Sequence, residues 1–154
     1  MNNFLTRKAF TMIELVFVIV VLGILAATAI PRLAATRDDA NIAKGRANIL
    51  AIRSGIIGER QGRMFRGDSS WATTLDNAAL NTEDVTLFNA TNNNLPILQN
   101  GVQSRNADGR WMKTGNTQYT YSVFGAAVTF DYNTTNGVFD CAGAAGSSCA
   151  LLTD

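Results

Sequence analysis

Hydrophobic and polar positions divide the chain into stretches of different period. Residues 10–30, FTMIELVFVIVVLGILAATAI, are apolar almost throughout and carry one charge, Glu14. Arg7 and Lys8 precede this run, and Pro31 and Arg32 close it. As a helix the run spans about 30 Å, the thickness of a bilayer's hydrocarbon core. Residues 31–62 change to a helical alternation. Ile42, Ile49 and Ile56 recur every seven positions with Ile52 near the same face, and Leu50 and Ile57 mark a second strip. Arg46, Arg53 and Arg60 run between the strips. The two stretches predict one helix of about 50 residues, near 80 Å long. One strip is expected to pack on the chain's own head and the other to face neighbouring copies. The arginine line reads as snorkelling side chains that cover apolar surface. Pairing with acidic groups of another copy is the alternative, and contact with nucleic acid a remoter one.

Beyond residue 62 the helical period is lost. Residues 67–70, 89–94 and 106–109 read as loops, and residues 71–80 as a stretch holding a short helical turn. The last third has β character. Residues 119–124, 128–132 and 138–141 are rich in aromatic and β-branched side chains and are separated by Gly- and Asn-bearing turns. Three strands in an antiparallel meander are expected, with one face on the helix, because a lone three-stranded sheet is only marginally stable. The fold class that follows is α+β: a long N-terminal helix packed against a small C-terminal antiparallel sheet. Residues 1–9 form a leader, 10–30 a membrane half of the helix, 31–62 an amphipathic stem and 63–154 a globular head.

Charge sharpens this division. The chain has 13 basic and 12 acidic side chains and no histidine. Between residues 32 and 66 there are eight basic and three acidic residues, and from 67 to 154 three basic and eight acidic. A positive stem and a negative head suit packing of stem against head between copies. Without histidine, the commonest general base and metal ligand are gone. No phosphate-binding glycine loop or EF-hand is present. Asp131, Asp140 and Asp154 could offer oxygens to calcium, but their spacing does not demand it, so no metal and no cofactor are expected. The chain reads as a non-enzyme. Cys141 and Cys149 stand eight positions apart. In an exported head a disulfide is the default and two free thiols the alternative. Closing so short a loop stabilises by about 2.5 kcal/mol in the chain-entropy treatment.

Glu14 is the anomaly of the apolar run. Twelve Leu, Ile, Val or Phe residues lie between Ile13 and Ile30, and together they favour insertion by about 5 kcal/mol. One acid costs up to about 3 kcal/mol at a helix centre and less near an end, so insertion wins. An ionisable group facing lipid nevertheless calls for a partner. No Lys or Arg lies within a turn on its C-terminal side. A partner outside the run is expected: the free α-amino group of a neighbouring copy, exposed by a cut just upstream. The basic leader places the N-terminus in the cytoplasm and the bulk of the chain across the membrane.

Lys8, Ala9, Phe10, Thr11, Met12, Ile13, Glu14 and Leu15 resemble the prepilin cleavage and methylation motif of type IV pilins and type II secretion pseudopilins. The resemblance is specific over roughly residues 7–35. It implies that a prepilin peptidase cuts between Ala9 and Phe10, that Phe10 becomes the N-methylated terminus, and that Glu14 pairs with the amino terminus of an adjacent subunit. The family usually has glycine before the cut, where this chain has Ala9. The resemblance also implies a kink or melted turn at Pro31 and, as in many type IV pilins, a C-terminal disulfide.

The function this implies is structural. The chain is expected to be a subunit of an inner-membrane-anchored filament, first as a type II secretion pseudopilin assisting protein export. A type IV pilin for adhesion or motility, or a competence pilin for DNA uptake, is the alternative. A monomeric single-pass membrane protein with a soluble binding head is the reading from another class. The partners are the prepilin peptidase, other copies and other pilins or pseudopilins, the inner-membrane assembly platform and membrane lipid, with nucleic acid remote. The head is placed in the periplasm and the filament there or outside the cell.

Overall fold

The computed structural model describes residues 10–91, 95–143 and 147–153. The fold is α+β, in element order α1 (Met12–Met64), β1 (Thr86–Leu87), β2 (Val102–Gln103), β3 (Trp111–Lys113), β4 (Gln118–Val123), β5 (Ala126–Tyr132), β6 (Phe139–Cys141) and α2 (Ser148–Thr153). Two compact units divide the chain, one ending at Arg37 and the other beginning at Asp38.

In the first unit α1 is apolar on every side, and the window Met12–Ile30 has a mean hydropathy of 2.8 with none of it buried within the chain. The helix is continuous through Pro31. Proline has no N–H, so the carbonyl of Ala27 loses its usual helical donor there.

The second unit is built on the rest of α1. Of the two strips the isoleucine strip is the one that packs on the head: Ile49, Ile52 and Ile56 are buried and Ile42 partly so, while Leu50 and Ile57 on the second strip stay exposed. The sheet that covers the isoleucines has the order β3-β4-β5-β6, antiparallel throughout. Period-two alternation puts Tyr119, Tyr121 and Val123 of β4 and Val128, Phe130 and Tyr132 of β5 on the buried face. Trp111 and Phe139 complete an aromatic layer, with Phe130 stacked on Phe139 at 5.4 Å between ring centroids. Gly45 is what lets the layer approach the helix: a Cβ there would come within 2.6 Å of the Tyr121 ring and 2.7 Å of Leu152. The Tyr121 hydroxyl then donates to the Asn41 carbonyl at 2.7 Å.

The sheet differs from the expected meander in two respects. A fourth strand, β3, adds to it through the pairs Trp111 with Tyr121 and Lys113 with Tyr119. The β4–β5 turn is also tighter than expected. Phe124 and Gly125, both at positive φ (54° and 71°), make a two-residue turn, and Ala126 and Ala127 belong to β5. Residues 71–80 form a loop rather than the expected helical turn. The Asp76 carboxylate explains this: it accepts from the amides of Ala78 (3.0 Å) and Phe88 (3.3 Å) and pairs with buried Lys113 at 2.8 Å. Donors satisfied by a side chain release that backbone from the helix ladder. The β1–β2 ribbon and α2 were not foreseen, and α2 buries Cys149 and Leu152 against the core.

The arginine line also departs in part from expectation. Arg46 and Arg53 hold polar groups of the chain's own head instead of lying over apolar surface or waiting for another copy, and Arg60 does cover a ring, as expected. Arg46 donates to the Leu151 carbonyl at 2.7 Å. Arg53 donates to the Phe139 carbonyl and pairs with Asp140, both at 2.9 Å. Arg60 stacks 3.9 Å over the Trp71 ring. Deeper on the same helix, Glu59 and Arg63 form an ion pair at 2.5 Å, both side chains at most 2% exposed. Thr91 donates a further hydrogen bond to Glu59.

Candidate functional site

The candidate site is the N-terminal end of α1 with the apolar surface behind it. Thr11 is the N-cap and Glu14 stands three positions on, so a reciprocal capping box forms. The Glu14 amide donates to the Thr11 hydroxyl at 3.3 Å. In return Glu14 Oε2 accepts from the Thr11 amide (3.0 Å) and the Thr11 hydroxyl (2.9 Å). Sequence reasoning missed Thr11, although Thr-x-x-Glu ahead of an apolar run is a visible capping signature. Both contacts fall on one oxygen. Among the described residues Oε1 has no hydrogen bond, and no cation pairs with the carboxylate. The cap orients the acid at the helix tip without neutralising it.

Phe10 is 81% exposed beside this cap. Ala9 and the rest of the leader, residues 1–9, lie outside the described residues. Behind the cap, Met12, Ile13, Leu15, Phe17, Ile24 and Leu25 are among many large apolar side chains more than half exposed. A contiguous apolar surface of that size does not persist in water, and it marks a surface covered by lipid or protein. The second unit has an exposed apolar strip of its own on α1. Leu50, Ile57 and Met64 recur every seven residues at 65%, 54% and 55% exposure, and Phe65 is 92% exposed.

At the other end of the chain Cys141 and Cys149 are joined in a disulfide, with Cα atoms 5.9 Å apart. The bond ties β6 to α2. Asp131 and Asp140, weighed as calcium ligands, do not converge with other donors: Asp140 is taken by Arg53, and Asp154 lies outside the described residues. The described residues contain no cluster of three or more potential metal ligands.

Comparison with known proteins agrees with this geometry. Residues 5–30 match the family described as the prokaryotic N-terminal methylation motif. The chain is also similar to the type IV narrow pilus major component PilA5 of Thermus thermophilus, with 51% identity over 47 residues. That match covers 30% of this chain and 40% of the relative's length. No solved structure matches.

Proposed function

We propose that this type IV pilin-like chain is a structural subunit of a membrane-anchored filament, with no catalytic role of its own. The single observation that carries the reading is the uncovered first half of α1, led by an oriented carboxylate with no counter-cation among the described residues. In the bilayer lipid covers that surface. On assembly the same surface of other copies replaces lipid.

In this reading a prepilin peptidase cuts between Ala9 and Phe10 and the new Phe10 terminus is N-methylated. Oε1 of Glu14 then accepts the Phe10 amino group of an adjacent subunit. The subunit waits in the inner membrane with its head in the periplasm, and an assembly platform lifts it into the filament. The disulfide suits an oxidising compartment.

Use as a type IV pilus takes precedence over the secretion pseudopilus. It is favoured by the relative's description as a narrow pilus component and by the C-terminal disulfide. The competence pilus shares the architecture.

Mass spectrometry of the mature chain and the variant Glu14→Ala test the proposal. The expected chain begins at Phe10 with an added methyl group, and Glu14→Ala inserts into the membrane but forms no filaments. A mature chain that still begins at Met1 sinks the filament reading in favour of a monomeric membrane protein. Normal filaments from Glu14→Ala sink the pairing. Electron microscopy of intact cells separates the uses, since surface filaments are expected of a pilus and their absence, with a loss of protein export on deletion, of a pseudopilus.

A further inference from the structure

Most cations of the second unit have a partner among the described residues. Arg53, Arg63, Arg105 and Lys113 are ion-paired, Arg46 caps a carbonyl and Arg60 lies on Trp71. Lys44 and Arg110 differ. They line a concavity of about 170 Å³ together with Asn48, Val102, Gln103, Gly109 and Trp111, and no Asp or Glu is among the lining residues. Arg110 has no ion pair or side-chain hydrogen bond to any described residue. The Lys44 ammonium donates once, to the Gly109 carbonyl at 2.8 Å, which leaves two of its N–H groups for a ligand. Asp108, two residues before Arg110, accepts from the Gly125 amide at 3.0 and 3.1 Å and is not among the residues that line the concavity.

The two cations act on each other. Burial and then Arg110 hold the Lys44 ammonium's pKa below its ordinary value. Two like charges at one concavity without a counter-ion are unfavourable, and an anion between them removes the penalty. The backbone that carries them is fixed. Gly109 sits so close to α1 that a Cβ would come within 2.2 Å of the Asn41 side chain, and its amide donates to the Ser122 carbonyl at 2.8 Å. The donors are therefore arranged before any ligand arrives, which reduces the ordering cost of binding. Liquid water takes about 30 Å³ per molecule, so the space admits an oxyanion with part of its hydration.

We propose that this concavity is an oxyanion site for a phosphate-class ligand, inorganic phosphate or a small phosphomonoester, held by Lys44 and Arg110 with Asn48 and Gln103 completing the donors. A dianion neutralises both cations, whereas one carboxylate leaves a positive charge uncompensated. Four oxygens also match donors that arrive from two different elements. Gln103 already gives one N–H to Thr86 at 3.0 Å and keeps the other for the ligand. The site is independent of the filament reading.

The test is a titration of the full chain in neutral detergent with sodium phosphate, replacing chloride at constant ionic strength and followed by amide NMR. Saturable shifts at Gly109 and Arg110 are expected. Arg110→Gln and Lys44→Gln should each weaken binding by about tenfold or more, the scale of one charge-assisted hydrogen bond. Arg110→Gln removes no ion pair or side-chain hydrogen bond to a described residue, so its unfolding temperature should stay close to the parent's. Glycerol phosphate and inorganic phosphate distinguish the two sources, the tighter one naming the ligand form. Shifts that never saturate, affinity unchanged in both variants, or acetate binding as tightly as phosphate would overturn the proposal.

Discussion

One helix carries two glutamates, and they live by opposite rules. Glu59 is buried with its own cation four residues on and a hydroxyl donor from Thr91. Glu14 is exposed, held by its N-cap through one oxygen, and has no cation among the described residues. The side chains around them divide the same way. Near Glu59, Ile52 and Ile56 are at most 2% exposed, whereas near Glu14, Ile13 and Phe17 are 77% and 68% exposed. The second half of α1 thus buries one of its faces within the chain. The first half has the helix hydrogen bonds but none of the burial within the chain; in the proposed function lipid or other copies cover it.

Breaking each acid should expose that difference most strongly. Glu59→Ala leaves Arg63 as a buried charge without its closest partner, and removing one member of a buried pair costs about 3–5 kcal/mol. Denaturant unfolding of the chain in detergent should show a loss of that size. Glu14→Ala removes a cap and should cost about 1 kcal/mol or less of helix stability. Equal losses at both positions would erase the distinction. The apolar positions repeat the contrast at smaller scale. Ile52→Ala should cost about 2–5 kcal/mol through the cavity it leaves. Leu50→Ala, one strip over, should stay within about 0.5 kcal/mol in the isolated subunit. An unfolding midpoint shifted as far by Leu50→Ala as by Ile52→Ala would mean that the outer strip is covered within the chain.

Much of this arrangement was legible in the sequence. Periodicity separated Ile49 and Ile56 from Leu50 and Ile57, and β-branched and aromatic runs placed the residues of β4, β5 and β6. What stayed hidden has physical reasons. β3 is three residues long and ends in Lys113, whose buried ammonium is matched by Asp76, a partner 37 positions away. A lysine at a buried strand position reads as surface. β1 and β2 are two residues each, too short for any period. Arg46 and Arg53 reach backbone carbonyls at Leu151 and Phe139, and a carbonyl has no residue type to recognise. α2 is six residues in an Ala-, Ser- and Gly-rich tail, and packing rather than propensity forms it. Thr11 is the opposite case. Its spacing from Glu14 was readable, but a search for a cation overlooks neutral donors.

The smallest effect concerns the hydroxyl that ties the second half of α1 to the sheet. All three tyrosines of the chain lie in the sheet's buried face. Burial pushes Tyr121 up to about 12, and burial followed by the charge of Glu59 pushes Tyr132 up to about 12. Burial, then Asp76, raises Tyr119 as well. A folded-state value above the unfolded 10 means that this stability is fully present below pH 10 and is lost as pH rises through about 12. Tyrosinate absorbance should therefore stay low until the head unfolds, then rise in one step for all three rings. Tyr121→Phe removes the hydrogen bond to Asn41, costs about 1 kcal/mol at neutral pH, and softens the alkaline loss by removing one titrating group. The first half of α1 contains no tyrosine. In detergent its helical circular dichroism should survive the alkaline transition that unfolds the sheet. If that signal disappeared together with the sheet, the two halves of the helix would fold as one cooperative element and their contrast would be one of surroundings alone.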